Sequence, residues 1–143
     1  MSEETKNSAP LPAVGARATR VRTITDSDIV RFAEVSGDRN PVHLDVAYAA
    51  RSPFGERVAH GFLTGSMISA VIGMELPGPG SIYLGQTMKF LAPVCIGDTV
   101  TVSVEVIGVR EEKRLITLRT DCINQDGTVV LTGEATVKFV GET

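Results

Sequence analysis

This chain is short of the residues on which many chemistries depend. It has two cysteines and two histidines. No C-x-x-C spacing joins Cys95 and Cys122, and two isolated histidines do not make a zinc site, so no metal is expected. Both cysteines fall in apolar, strand-like runs and read as buried free thiols. Charge of one sign is also scarce. A net charge of −3 and a pI near 5.4 argue against broad binding to nucleic acid or to an anionic membrane surface. A small basic pocket for a phosphorylated ligand remains compatible with that balance. No apolar run reaches the about 20 residues a membrane helix needs. The sequence also lacks a G-x-G-x-x-G, a P-loop and a G-x-S-x-G elbow. Rossmann-type redox chemistry, nucleotide hydrolysis and serine hydrolysis therefore have no support, and no cofactor is implied.

What remains is an ordinary globular composition, 43% hydrophobic and 22% charged, over 143 residues. That length suits one domain. Residues 1–12 read as a disordered polar lead, and residues 13–143 as the folded domain. Glu3 and Glu4 match neither a secretory signal nor an acid-poor transit peptide, so a reducing, cytoplasmic setting is expected.

Residues 14–23 read as a strand. Thr25 then offers an N-cap, with Asp26 and Asp28 placed where the helix dipole favours negative charge. Ile29, Phe32 and Ala33 share one face of the helix that follows, and Gly37 ends it. Asp45 caps a second short helix to Ala50, and residues 51–59 read as loop. Residues 61–74 contain no charged side chain and are apolar on every face, which predicts a helix buried on all sides.

From Ser81 the period changes to two. Ile82, Leu84, Met88 and Phe90 share one side of a first strand, and Val100, Val102, Val104 and Val106 one side of a second. Ile116, Leu118 and Cys122 mark a third, and Val129 to Phe139 a fourth. Turns at 111–113 and at Asp126-Gly127 join the last three as hairpins. An apolar helix followed by an antiparallel meander predicts an α+β fold in which the sheet curls around the helix.

The segment Ser36-Gly37-Asp38-Arg39-Asn40-Pro41-Val42-His43 is the chemically informative one. Pro41 lacks an N–H and biases Asn40 away from helix, so Asp38 and His43 are expected to project from an irregular loop. A carboxylate and an imidazole converging on one water are the elements of acid/base catalysis.

With His60-Gly61 opening the apolar helix, Gly80-Ser81-Ile82-Tyr83-Leu84-Gly85-Gln86, and Phe90-Leu91-Ala92-Pro93-Val94-Cys95-Ile96-Gly97-Asp98, the chain resembles the MaoC-like dehydratases. Within them it is similar to the (R)-specific enoyl-CoA hydratases that supply polyhydroxyalkanoate synthesis. The resemblance spans roughly residues 15–140. It implies a single hot-dog fold, a long central helix wrapped by a curved antiparallel sheet. It also implies a homodimer with sheets joined edge to edge, and active sites near the interface.

The implied activity is cofactor-independent, reversible (R)-specific hydration of short or medium trans-2-enoyl-CoA to 3-hydroxyacyl-CoA, with Asp38 and His43 holding the water. The Gly61 N–H, at the first turn of the helix, is the matching oxyanion donor. His60 is expected to position that helix start, and Asn40 to pin the loop and orient Asp38. Ser69 matches an acyl-pocket position, and Ile72 lies one turn further. Lys89, Arg110, Lys113 and Arg114 are candidates for the CoA phosphates. The rivals are a hot-dog thioesterase and a non-catalytic acyl-CoA or acyl-carrier-binding subunit. Thioesterases of this fold often use a carboxylate on the central helix, and residues 61–74 have none.

Overall fold

The computed structural model describes residues 9–141. Residues 1–8 of the expected disordered lead lie outside the described residues. Within residues 9–12, Leu11 packs against the core.

The first strand, β1, covers Arg17–Thr23. It starts three residues later than the sequence suggested, because a turn with Gly15 at φ +96° precedes it. Helix α1 spans Asp26–Ser36. Its start is a reciprocal capping box: Thr25 Oγ1 accepts the Asp28 N–H at 3.1 Å, and Asp28 Oδ2 accepts the Thr25 N–H at 3.0 Å. Arg22 on β1 donates to the same carboxylate at 2.5 Å and holds Asp28 below the usual carboxylate range. Gly37, left-handed at φ +79°, closes the helix.

Two short helices follow, α2 at Pro41–Leu44 and α3 at Val46–Ala50. The first corrects the expected irregular loop. Pro41 occupies the first helical position, where its missing N–H costs nothing, and Asn40 caps it from extended backbone. His43 therefore projects from a helical turn.

The long helix α4 spans Gly61–Met74, as the uncharged run predicted. Six strands form one sheet around it. They are β1, β2 (Ser81–Gln86), β3 (Lys89–Phe90), β4 (Thr99–Arg110), β5 (Leu115–Ile123) and β6 (Val129–Phe139). The order is β1-β4-β5-β6-β2, with β3 also on β6, and every pairing is antiparallel. Only β4-β5-β6 run as a meander; β1 and β2 flank them. The apolar alternation on β4 buries Val100, Val102, Val104 and Val106 against Ile68, Val71 and Ile72 of α4. This is the hot-dog arrangement.

Three details differ from the sequence reading. The strand expected across residues 82–90 is broken into β2 and β3 after a register shift between Tyr83 and Gly85. At this sheet edge Ile82 and Leu84 stay 46% and 55% exposed, so their alternation does not reflect burial within one chain. Helix α4 is not buried on all sides, since Phe62 is 64% exposed and Ser66 and Ser69 share that open flank. An apolar helix surface declares what it needs, but one curved sheet covers only the side it reaches. Finally, Cys122 is buried on β5, whereas Cys95 is half-buried in an isolated bridge to Val58. Both thiols are free.

Replacing Asp28 with Asn should lower unfolding free energy by about 1 kcal/mol at pH 7, the usual worth of a helix cap. A carboxylate with a depressed folded pKa stabilises above its unfolded value, about 3.9, and loses that contribution as pH falls through the folded value. Urea melts of the two proteins should therefore converge once pH falls below the folded value. A gap that persists there would show that the carboxylate's charge is not its source.

Candidate active site

A series of short side-chain-to-backbone hydrogen bonds sets the Asp38–His43 segment. Ser36 Oγ donates to the Phe32 carbonyl at 2.6 Å and accepts the Asp38 N–H at 3.1 Å. Asp38 Oδ1 accepts the Asn40 N–H at 3.2 Å, and Asn40 Oδ1 accepts the Val42 N–H at 3.2 Å. These are turn-forming habits of Ser, Asp and Asn. The Asn40 backbone N–H thus bonds the Asp38 carboxylate, while its side chain caps α2.

His43 is fixed from behind. Its Nδ1 lies 2.7 Å from the Val58 carbonyl oxygen. A carbonyl only accepts, so Nδ1 carries the hydrogen and Nε2 of the neutral ring presents a lone pair. Arg57 holds the same region. Its Nε donates to the His43 carbonyl at 2.6 Å and its Nη2 to Asp26 Oδ1 at 2.7 Å.

His60 touches both Asp38 and His43. Its Nε2 donates to the Asp38 carbonyl oxygen at 2.9 Å. Its ring stacks on His43 with centroids 3.8 Å apart and packs against Phe32 at 4.9 Å. The residue is 2% exposed, and its Nδ1 has no partner. A carboxylate oxygen of Asp38 and one ring nitrogen each from His43 and His60 fall within 4.8 Å of one another. A water making two bonds of about 2.8 Å can bridge groups at that separation. The same trio has the spacing of a metal site. However, one nitrogen of each ring is already committed to a backbone carbonyl, and the two rings stack on each other at 27°.

His43 opens onto a cavity of about 520 Å³, within the usual range for a small-molecule site. Asn40, Gly61 and Thr64 line it along with a largely apolar wall that includes Phe54, Val94 and Leu131. Asp38 is exposed and does not itself line this cavity. Gly61 is the first residue of α4, and its N–H makes no hydrogen bond among the described residues. It points where a helix N-terminus favours negative charge. A Cβ at Gly61 would lie 2.6 Å from the Phe90 ring, so any side chain there would push that half-exposed ring out of its present close approach. The setting of Cys95 disfavours its thiolate. Burial, then the charge of Glu56, pushes its thiol up to about 11.

The other anticipated residues lie elsewhere. Ser69 sits on the open flank of α4, and Ile72, 1% exposed, is in the core; neither lines the cavity. Lys89 precedes the cavity residue Phe90. Arg110 pairs with Glu112, and Arg114 donates to the carbonyls of Phe139 and Ala9. Lys113 and Arg114 border a separate depression that shares no residue with the cavity. Sequence reasoning missed Arg57 altogether, and it missed the contact of His60 with His43.

Residues 9–127 match the family described as MaoC like domain. The chain is 52% identical to a 3-hydroxybutyryl-CoA dehydratase of Methylorubrum extorquens, covering 87% of this chain and 79% of that one. It is 51% identical to an (R)-specific enoyl-CoA hydratase of Rhodospirillum rubrum, over 86% of this chain and 85% of the other. Among solved structures it is similar to an (R)-hydratase from A. caviae involved in PHA biosynthesis. That match has a TM-score of 0.89 and 44% identity, and covers 92% of this chain and 99% of the other.

The Arg57 bridge yields an asymmetric expectation. Arg57 is 14% exposed and Asp26 is 62% exposed. Arg57→Met should cost about 2 kcal/mol, the worth of a hydrogen bond from a charged donor. Asp26→Asn should cost under about 0.5 kcal/mol, because that end of the pair is in water. Urea titration of both variants checks this, and equal losses would refute it.

Proposed function

The chain belongs to the MaoC-like dehydratase family, and from that membership we propose that it catalyses reversible (R)-specific hydration of short or medium trans-2-enoyl-CoA. The observation that carries the reading is the 4.8 Å cluster of Asp38 with His43, set beside a cavity that also holds the unpaired Gly61 N–H. Water bound between Asp38 and His43 is oriented by the carboxylate and gives a proton to His43 Nε2. The resulting hydroxide adds to Cβ, and the electrons of the double bond move onto the thioester oxygen. The Gly61 N–H and the dipole of α4 stabilise that enolate. His43 then returns the proton to Cα from the same face, restoring the neutral ring. Dehydration is the same sequence reversed.

The size of each effect is testable. Asp38→Asn and His43→Gln should each lower crotonyl-CoA hydration by about 10² to 10⁴ fold, the usual share of acid/base assistance. Enone absorbance and free thiol followed together distinguish the rivals. Thiol release would identify a thioesterase, against which the absence of any carboxylate on α4 already weighs. Binding without turnover would identify a carrier subunit.

We also infer that two chains assemble. Phe62 belongs both to the cavity wall and to the open flank of α4, and β2 leaves Ile82 and Leu84 exposed at a sheet edge. Unpaired apolar edges of this kind call for cover. The free thiols fit the reducing, cytoplasmic setting expected from the sequence, and no helix among the described residues is long and apolar enough to cross a membrane. Light scattering should give twice the 15.2 kDa chain mass, and Leu84→Lys should shift the protein toward monomer. A wild type that stays monomeric at millimolar-range concentration would refute the pairing.

A further inference from the structure

Thr64 lies one turn beyond Gly61 on α4 and lines the cavity. Residues three apart in a helix share a face. A helical Ser or Thr commonly returns its hydroxyl to a carbonyl three or four residues earlier. Ser66 in the same helix does so, donating to the Leu63 carbonyl at 2.6 Å. Thr64 does not. The His60 carbonyl receives the backbone N–H of Leu63 at 3.0 Å and that of Thr64 at 3.3 Å. The Thr64 hydroxyl makes no hydrogen bond among the described residues.

Nor is that hydroxyl sealed in the core. Thr64 is only 2% exposed, yet the sole fully buried, unpartnered side-chain atom among the described residues is His60 Nδ1. The small surface that Thr64 retains therefore includes its oxygen, and Thr64 lines the cavity. A hydroxyl set in a mostly apolar wall is unfavourable unless something supplies a partner. Side chains on a helix lean toward its N-terminus, which carries the Thr64 hydroxyl toward the end where the Gly61 N–H projects.

We propose that Thr64 Oγ1 donates a second hydrogen bond to the thioester carbonyl oxygen, completing with the Gly61 N–H a two-donor oxyanion site. This rests on the hydratase reading above. The water is already served by Asp38 and His43. The charge that develops during addition lies on the thioester oxygen, where a donor in a dry wall acts most strongly. Thr64 is thus a catalytic residue whose contribution grows as the enolate forms, so it acts on kcat more than on KM.

The test compares wild type with Thr64→Val, which keeps the shape and removes the hydroxyl, and Thr64→Ser, which keeps the hydroxyl. With crotonyl-CoA, Thr64→Val should lose about tenfold or more in kcat with KM changed less than about twofold. Thr64→Ser should retain most of the rate. Infrared difference spectra of crotonyl-CoA bound in an Asp38→Asn background should show the thioester carbonyl band at higher frequency once Thr64→Val is added. Wild-type kcat in Thr64→Val with an unmoved band overturns the proposal and leaves the hydratase reading standing. Equal losses in Val and Ser variants, with the band unmoved, assign Thr64 to packing and also overturn it. A wild type inert toward crotonyl-CoA sinks the hydratase reading, and the role of Thr64 with it.

Discussion

The hydrogen bond from His43 Nδ1 to the Val58 carbonyl, 2.7 Å long, is the contact on which the site depends. It fixes which ring nitrogen bears hydrogen and so leaves Nε2 with a free lone pair. It also joins α2 to the chain leading into α4. The neighbouring bonds have the same effect: Val58 N–H donates to the Val42 carbonyl at 3.3 Å, and Ala59 N–H to the Val94 carbonyl at 2.7 Å. His43 and the N-terminus of α4 are thereby held in one frame. Neither could shift without breaking backbone bonds that the core has already shielded from water.

That frame sets the proposed chemistry at the N-terminus of an apolar helix. The body of α4 is held against β4 by the apolar side chains of Ile68, Val71 and Ile72. Its first turn keeps unsatisfied N–H groups, as every helix start does. Placing Gly61 there lets Phe90 approach closely and gives the cavity an apolar wall beside the donor. Low polarity around a fixed donor strengthens its action on charge that appears only during reaction.

The parts legible in the sequence were those decided locally. The Thr25 cap, the Gly37 stop, the bounds of α4 and the two hairpins each depend on a few neighbouring residues. The Asn40-Pro41 pair was misread as a helix breaker, because proline is equally at home at a first helical position and only the backbone around it decides. The stacking of His60 on His43 could not be read, since it joins residues on separate elements that the fold alone brings together. Arg57 carries no local signature in its loop. The open flank of α4 was hidden for a different reason. An apolar run reveals that its faces avoid water, but not whether the same chain supplies their cover.

His60 shows how the site departs from what stability alone would choose. A buried ring nitrogen without a partner costs about 1–3 kcal/mol. An apolar side chain of similar volume would remove that cost. It would also remove the bond to the Asp38 carbonyl and change the surface on which His43 rests. Phe32, on α1, supports the ring from a further direction, so movement of His60 would be felt by α1, α2 and α4 together. The unsatisfied atom is thus the local cost of aligning a carboxylate and an imidazole carried by different elements. The apolar core built around α4 is what allows the fold to bear it.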